Sequence, residues 1–362
     1  MKIKDIQVGK ITVPLKKPFK TALREISTIE NVVVKVTTDT GNVGYGEAAS
    51  TPVITGDTMG SIKCAIMESI KPKIVGMEIE NMEGIMTTID NALVKNSSPK
   101  AAVDIAVYDL YGQLYNAPVY KLLGGYRQQI TTDITISVND PEEMARDSIA
   151  AVQKKYKTLK VKVGKDWRTD ILRLKAIRKA VGNDVKIRID ANQGWTPKEA
   201  VRALRQMEDA GLDIELVEQP VKAHDIKGLK YVTDNVEMNV LADESVFSPE
   251  DAIRIIENRA ADLVNIKLMK TGGIHNAIKI CNIAEIYGIE CMIGCMMESK
   301  ISVAAACHLA CAKSVITRFD LDSPNLCSED PIKGGAKFDE FIISMGDKPG
   351  FGFEEVGNVI FD

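Results

Sequence analysis

The sequence of 362 residues predicts an α/β protein: a (β/α)8-type barrel with an N-terminal α+β capping domain that the C-terminal tail completes. Two observations predict this fold. From about residue 130 onward, short apolar segments alternate with amphipathic helical segments, which is typical of parallel βαβ units. The residues before this point lack that alternation and resemble an antiparallel sheet followed by helices.

Eight candidate strands give the count of a closed barrel. They are TDITISV (132–138), TLKVKVG (158–164), VKIRIDA (185–191), IELVEQ (214–219), NVLADES (239–245), LVNIKLM (263–269), ECMIGC (290–295) and VITRFDLD (315–322). Several segments between them open with proline and acidic residues, as helix N-termini do. The eighth helix has the weakest signal.

The predicted domain boundaries lie where the alternation of strands and helices begins and ends. The capping domain takes residues 1–125, the barrel takes 126–324, and the segment 325–362 returns to the capping domain. The absence of a low-complexity linker predicts that the two parts pack closely.

Composition restricts the class of protein. The net charge of −4 disfavours nucleic-acid binding, and no apolar run reaches the ~18 residues of a membrane helix. Seven cysteines without a recognisable export signal favour reduced thiols and a cytoplasmic location. We therefore expect a small-molecule partner, with neither nucleic acid nor membrane involved.

Three acidic residues fall at the C-terminal ends of consecutive strands, where barrel enzymes place their active sites. Asp190, Glu218 and Asp243 are separated by 28 and 25 positions, about one βα unit each. Converging carboxylates favour a hard cation between them, one Mg²⁺ or Mn²⁺ per subunit. The alternative is three separate helix caps or salt bridges.

Lysines occupy two further strands. Lys160 and Lys162 share one strand face, and Lys267 lies on a strand at the opposite side of the barrel. We expect Lys160 and the metal to lower the pKa of Lys162, making it a general base. The alternatives are a solvated strand face for Lys160 and Lys162 and a surface ion pair for Lys267.

These groups predict a two-base mechanism. The metal would bind a substrate carboxylate and stabilise an enediolate, one lysine would remove the α-proton, and the opposite lysine would return a proton to the other face. The stereocentre would be inverted.

The motifs KVK (160–162), DANQGW (190–195), VEQP (217–220), ADES (242–245) and NIKLMKTGG (265–273) resemble the enolase superfamily in its muconate-lactonizing subgroup. The DLD at 320–322 is similar to the dipeptide epimerases of that subgroup. This resemblance implies that Asp320 and Asp322 hold the ammonium group of a dipeptide whose C-terminal residue is epimerised. Helix capping or an ion pair with Arg318 is the alternative.

Within the dipeptide epimerases, the sequence is most similar to those acting on L-Ala-D/L-Glu. The resemblance implies that Arg24 meets the glutamate side chain, that the segment 51–57 caps the site with Ile54 as an apolar wall, and that the enzyme serves peptidoglycan peptide recycling. Thr135, Cys295 and Met297 complete the expected substrate-binding set. One departure is GCMME at 294–298, where these epimerases read GSMIE. Cys295 and Met296 make this segment more apolar, which leaves open a hydrophobic dipeptide as the substrate.

Two other interpretations remain open at this point. A lyase of the same superfamily, an o-succinylbenzoate synthase or cycloisomerase, would share the metal and Lys162 but would have less use for Asp320 and Asp322. A non-catalytic barrel that binds a small acid would not need the two lysines. A homo-oligomer is possible, since barrels of this superfamily often assemble.

Overall fold

The computed structural model describes residues 1–22 and 24–362. The chain begins with three antiparallel strands: β1 (Ile3–Lys20), β2 (Glu25–Thr38) and β3 (Val43–Ala48). Glycine alternates along β3 because a helix packs against it without a gap. A Cβ atom at Gly46 would stand 1.9 Å from the carbonyl oxygen of Ala102, and one at Gly44 would stand 2.2 Å from that of Ala106.

The helices of the capping domain follow. They are α1 (Met59–Cys64), which continues through a π-helical turn (Ala65–Ile70) into α2 (Lys71–Ile74), then α3 (Met82–Asp90), α4 (Ser97–Leu114) and α5 (Val119–Leu122). The helix that packs on β3 is α4, and it is buried along nearly its whole length. The short strand β4 (Gln129–Thr131) leads into the barrel.

Eight parallel strands form the barrel, at the places that the sequence predicts and shorter by one to four residues. They are β5 (Ile134–Ile136), β6 (Thr158–Lys162), β7 (Lys186–Asp190), β8 (Ile214–Glu218), β9 (Asn239–Ala242), β10 (Leu263–Ile266), β11 (Glu290–Gly294) and β12 (Ile316–Asp320). Neighbours in sequence pair throughout. The first and last strands meet where the amide of Asp133 donates to the carbonyl of Phe319 at 3.2 Å.

Helices alternate with these strands: α6 (Pro141–Gln153), α7 (Trp167–Val181), α8 (Pro197–Asp209), α9 (Ile226–Thr233), α10 (Pro249–Glu257), α11 (Leu268–Thr271), α12 (Ile274–Tyr287), α13 (Lys300–Ala312) and α14 (Ser323–Leu326). The weak signal for the eighth helix reflects α14, which is one turn long.

One barrel helix takes its cap from the other domain. Helix α12 begins after Gly273, which has no side chain to cap it. The carboxylate of Asp104, on α4, accepts hydrogen bonds from the amides of Ile274 (2.7 Å) and His275 (3.2 Å) instead. This contact ties the capping domain to the barrel.

The tail adds strands β13 (Ile332–Gly334), β14 (Lys337–Asp339), β15 (Ile342–Ser344), β16 (Phe353–Val356) and β17 (Val359–Phe361). β17 pairs with β1, with Gly9 opposite Phe361, and becomes an edge strand of the N-terminal sheet. The expected completion of the capping domain by the tail is therefore confirmed. The boundaries at residues 125 and 324 stay predictions.

Two further sequence expectations concern the whole chain. Each of the seven cysteines has a free thiol. Within the described residues, no helix combines the length and the apolar character that crossing a membrane requires.

Candidate active site

A cavity opens between the C-terminal ends of the barrel strands and the capping domain. Nine of the twelve residues predicted for the site line it: Arg24, Thr135, Lys160, Lys162, Lys267, Cys295, Met297, Asp320 and Asp322. The other three, Asp190, Glu218 and Asp243, are buried and contact the lysines of that lining. The predicted residues therefore lie together around one cavity.

The two lysines of β6 point into the barrel interior. Lys160 is 2% exposed and Lys162 is 6% exposed, which excludes a solvated strand face. The ammonium group of Lys160 lies 2.6 Å from Glu218 and 3.3 Å from Asp190. Lys162, which is in register with Asp190, donates to that carboxylate at 2.6 Å.

Their acidic partners lie side by side on β7 and β8, where Asp190 is in register with Glu218. Burial raises the pKa of Asp190, but Lys162 and Lys160 outweigh it and hold that pKa below its usual value. Burial and the neighbouring Asp190 raise the pKa of Glu218 to about 7. Glu218 is a weaker acid than usual, because the nearby lysines do not fully offset burial and the repulsion from Asp190.

The third acid is paired with two lysines. Asp243 follows β9 and lies 2.7 Å from both Lys267 and Lys270. Although burial opposes it, these ammonium groups hold the pKa of Asp243 well below its usual value. Lys267 is 4% exposed, so its ion pair is internal, not a surface pair.

Lys270 was not singled out from the sequence. It is fully buried, and its ammonium group also donates to the main-chain carbonyls of Asp243, Val246 and Asn265. Its position three residues after Lys267, inside the same motif, was the available signal. Lys270 fixes the backbone that presents Asp243.

The strand ends turn sharply on non-glycine residues. Asn192 (φ 42°), Gln193 (φ 66°) and Gln219 (φ 37°) have left-handed backbone conformations directly after β7 and β8. Such strained positions cluster at functional sites, where they fix the direction of neighbouring side chains. Here they end the strands immediately after Asp190 and Glu218.

The chemistry of the three acids suits a hard divalent cation, since all their donors are oxygens. Side-chain oxygens of Asn192 and Glu244 nearby are buried without a hydrogen-bond partner, and an ion or its water could satisfy them. In the structure, the ammonium groups of Lys160, Lys162 and Lys267 lie among these carboxylates. Within the described residues, no three acidic, histidine or cysteine side chains form a ready-made metal cluster.

The pair of aspartates after β12 faces the same cavity. Asp320 accepts a hydrogen bond from Lys160 at 2.6 Å, and Asp322 accepts one from the amide of Thr135 at 2.7 Å. Arg318 binds Glu215 and Glu290 instead, so it is not the partner of these aspartates.

Helix capping does not account for this pair either. Asp322 stands at the start of α14, but its side chain makes no capping hydrogen bond. Burial and the neighbouring Asp320 raise the pKa of Asp322 to about 6. Asp320 and Asp322 thus place two carboxylates beside one cavity, where they can attract a cation.

Arg24 approaches the cavity from the capping domain, and burial lowers the pKa of its guanidinium. No carboxylate among the described residues forms an ion pair with it. Val53 and Ile54, from the segment before Gly56 (φ 81°), line the same cavity as an apolar wall. Arg24 and this apolar segment therefore lie on the side of the cavity that the capping domain forms.

A barrel with lysines on two sides of a carboxylate cluster at the C-terminal ends of its strands has the groups that acid–base catalysis at carbon requires. Two family models match successive parts of the chain. Residues 4–124 match the mandelate racemase/muconate lactonizing enzyme N-terminal domain, and residues 143–355 match the enolase C-terminal domain-like family. The protein belongs to this branch of the enolase superfamily.

Its relatives are similar over their full length. The chain is 63% identical, over 99% of its length and 100% of the relative, to the L-Ala-D/L-Glu epimerase of Clostridium acetobutylicum. The substrate-liganded L-Ala-D/L-Glu epimerase of Bacillus subtilis superposes with a TM-score of 0.97 at 52% identity, over 99% of this chain and 100% of that one. The dipeptide epimerase of Enterococcus faecalis, complexed with Mg and L-Leu-L-Tyr, superposes with a TM-score of 0.95 at 44% identity, over 98% and 100% of the two chains.

Proposed function

We propose that this protein is a dipeptide epimerase, an isomerase that inverts the α-carbon of the C-terminal residue and acts on L-Ala-D/L-Glu. The observation that carries the proposal is the placement of Lys162 and Lys267 around one cavity that also contains Asp320 and Asp322. The names of the similar proteins support the same activity.

The dipeptide's ends fix its orientation. Asp320 and Asp322 bind the ammonium group of the first residue, since two carboxylates attract one cation. Arg24 binds the side-chain carboxylate of the glutamate, for which a planar guanidinium is suited. The α-carbon of the second residue then lies between these two sites, within reach of the lysines.

Lys162 and Lys267 act as the two bases. One removes the α-proton, and the other donates a proton to the opposite face of the planar carbon, which gives inversion. Lys160 stays protonated, because Asp320, Glu218 and Asp190 outweigh the effect of burial and raise its pKa. Its fixed positive charge favours the negative charge that develops on the substrate.

Asp190, Glu218 and Asp243 would hold one Mg²⁺, for which Mn²⁺ is a chemical substitute. Bound there, the ion would neutralise charge that develops on the substrate's α-carboxylate and would make the adjacent lysines easier to deprotonate. The structures of relatives complexed with Mg support this assignment.

One observation favours a second substrate class. Cys295, Met296 and Met297 form an apolar wall of the cavity, which suits a hydrophobic C-terminal residue. A relative at 45% identity is a hydrophobic dipeptide epimerase of Enterococcus faecalis. A lyase has no comparable support, because it would leave Asp320 and Asp322 without a ligand.

The test is α-proton exchange, followed by NMR in D2O with Mg²⁺ present. We expect the C-terminal α-proton of L-Ala-L-Glu to exchange while L-Ala-D-Glu appears. Exchange on apolar dipeptides alone would favour the second class. No exchange on any dipeptide would overturn the proposed function. Exchange on L-Ala-L-Glu would agree with the role that we propose for the protein, the recycling of peptidoglycan peptides in the cytoplasm.

A further inference from the structure

Two buried glutamates outside the cavity take no part in the proposed chemistry. Glu47, at the end of β3, is fully buried, and Glu298, between β11 and α13, is 2% exposed. Neither lines the cavity. Buried acids are costly unless their oxygens are satisfied, so their hydrogen bonds show what they hold in place.

Glu47 binds the start of a barrel helix. Its oxygens accept hydrogen bonds from the amide (2.8 Å) and hydroxyl (2.6 Å) of Ser299 and from the amide of Ser302 (3.3 Å). The side-chain amide of Asn31, on β2, adds another at 2.8 Å. A carboxylate at a helix N-terminus is favourable, so Glu47 is best satisfied as an anion.

The hydroxyl of Ser302 lies between the two acids. Its oxygen is 3.1 Å from Glu47 and 2.5 Å from Glu298. A hydroxyl has one hydrogen, so it can donate to only one of two carboxylates. Both contacts become hydrogen bonds if Glu298 carries a proton and donates it to Ser302, which then donates to Glu47.

The charges around Glu298 agree with this count. Burial and the neighbouring Glu47 raise the pKa of Glu298 to about 7. The contacts with Ser302 and with the amide of Met296, and the positive charge of Lys267, lower this pKa but do not offset burial and Glu47. Glu298 is therefore the acid that carries the proton, and Glu47, which binds the start of α13, is the carboxylate.

Glu298 and Glu47 hold the segment 295–297, which forms the apolar wall on the barrel side of the cavity. Glu298 accepts a hydrogen bond from the amide of Met296 at 2.5 Å. Asn31, itself bound to Glu47, donates to the carbonyl of Met297 at 3.0 Å. The backbone of the wall is thus fixed to the capping domain on one side and to α13 on the other.

We propose that Glu298, as a neutral acid, and Glu47, as a carboxylate, are positioning residues linked by Ser302. Glu298 fixes Met296 directly and Glu47 fixes Met297 through Asn31, and together they set which C-terminal side chain the site accepts. The inference deepens the proposed dipeptide activity and rests on it for its kinetic test. It also makes a structural claim that needs no substrate.

The decisive variants are Ser302→Ala, which removes only the bridging hydroxyl, and Glu298→Gln, whose amide can still donate to Ser302 and accept from Met296. We expect Ser302→Ala to change the ratio of kcat/KM for L-Ala-L-Glu over L-Ala-L-Phe by about tenfold, the effect of one buried hydrogen bond. Glu298→Gln should keep the wild-type ratio. Ser148→Ala, which removes a buried hydroxyl from α6 that is bonded to the carbonyl of Met144, is the matched control and should leave the ratio unchanged.

A second measurement separates this inference from the proposed function. In spectra of protein labelled with ¹³C at the methionine methyl groups, Ser302→Ala should shift or broaden the Met296 and Met297 signals, whereas Glu298→Gln and Ser148→Ala should not. Unchanged signals in Ser302→Ala, or equal disturbance in Glu298→Gln, would overturn the inference. A wild-type protein inactive on dipeptides would instead overturn the function and leave the NMR result to decide the positioning role.

Discussion

The ammonium group of Lys160, on β6, lies 2.6 Å from the carboxylate of Asp320, on β12. Both side chains are almost fully buried, and the ion pair joins two strands that are not neighbours, because β5 lies between them. Asp320 therefore has two tasks in the proposed site. It binds the substrate's ammonium group, and it is one of the carboxylates that keep Lys160 charged and in place.

This double task makes the two aspartates unequal. We expect Asp320→Asn to lower kcat/KM by at least ten times more than Asp322→Asn, because only the first change also removes a partner of a buried ammonium group. Steady-state kinetics with L-Ala-L-Glu measure both values. A larger loss in Asp322→Asn would show that ammonium binding depends chiefly on Asp322.

Removing either base should separate exchange from inversion. In Lys162→Ala and Lys267→Ala, we expect epimerisation to fall by about 10²–10⁴-fold, the usual contribution of a positioned acid or base. Each variant should still exchange the α-proton of one epimer, the one whose proton faces the remaining lysine. NMR in D2O, started from each epimer, measures this.

The exposed Lys165→Ala is the control for this pair and should behave as wild type. Retained inversion in Lys267→Ala would contradict the two-base mechanism. Loss of exchange from both epimers in both variants would also contradict it, because it would mean that neither lysine acts alone on one face.

Arg24 should determine the preference for glutamate. In Arg24→Met, we expect kcat/KM for L-Ala-L-Glu to fall by about 10–100-fold, the loss of a charged hydrogen bond, while apolar dipeptides change little. Arg24→Lys should lie between, since it keeps the charge but not the planar pair of donors. Equal losses on all dipeptides would mean that Arg24 does not read the side chain.

Stability should depend on pH through a histidine remote from the site. His308, on α13, is buried and accepts a hydrogen bond from the amide of Tyr120 at 3.0 Å, and burial lowers its pKa to about 3. Between pH 6.5 and 3 the unfolded chain binds a proton that the folded protein does not. The free energy of unfolding should therefore decrease as the pH falls through this window, by up to about 1.4 kcal/mol per pH unit from this group.

Urea unfolding at several pH values between 4.5 and 7 measures this free energy. We expect the slope of the free energy of unfolding against pH to be shallower in His308→Asn than in the wild type. His224→Asn, at an exposed position, is the control and should keep the wild-type slope. An unchanged slope in His308→Asn would assign the acid sensitivity to other groups.

The barrel could be predicted from the sequence because period and spacing are local properties. The alternation around Lys160 and Lys162 locates a strand, and one acid per βα unit locates Asp190, Glu218 and Asp243. What the sequence could not provide was the partner of each charge, since pairing depends on strands that are distant along the chain. Arg318, two positions from Asp320, pairs with Glu215 and Glu290, whereas Lys160 reaches Asp320 from 160 residues away.

The same limit explains why Lys270 and Glu47 were missed. The spacing of Lys270 from Lys267 was its one signal, but the sequence does not show which main-chain carbonyls a lysine binds, because carbonyls belong to every residue. Glu47 stands in a glycine-rich strand of the capping domain, and its partners are serines of a helix about 250 residues later. Only the folded chain brings them together.

The helix ends bound by Asp104 and Glu47 have a consequence for protein engineering. At the N-termini of two barrel helices, α12 and α13, the backbone amides donate hydrogen bonds to carboxylates of the capping domain. A barrel expressed alone would leave α12 without a side-chain cap and α13 with only the hydroxyl of Ser299, which accepts a hydrogen bond from the amide of Ile301. A hybrid that joins this barrel to a relative's capping domain would need acids at both positions. Exchanging the halves to redirect substrate choice therefore requires transplanting these two acids together with the loops that line the cavity.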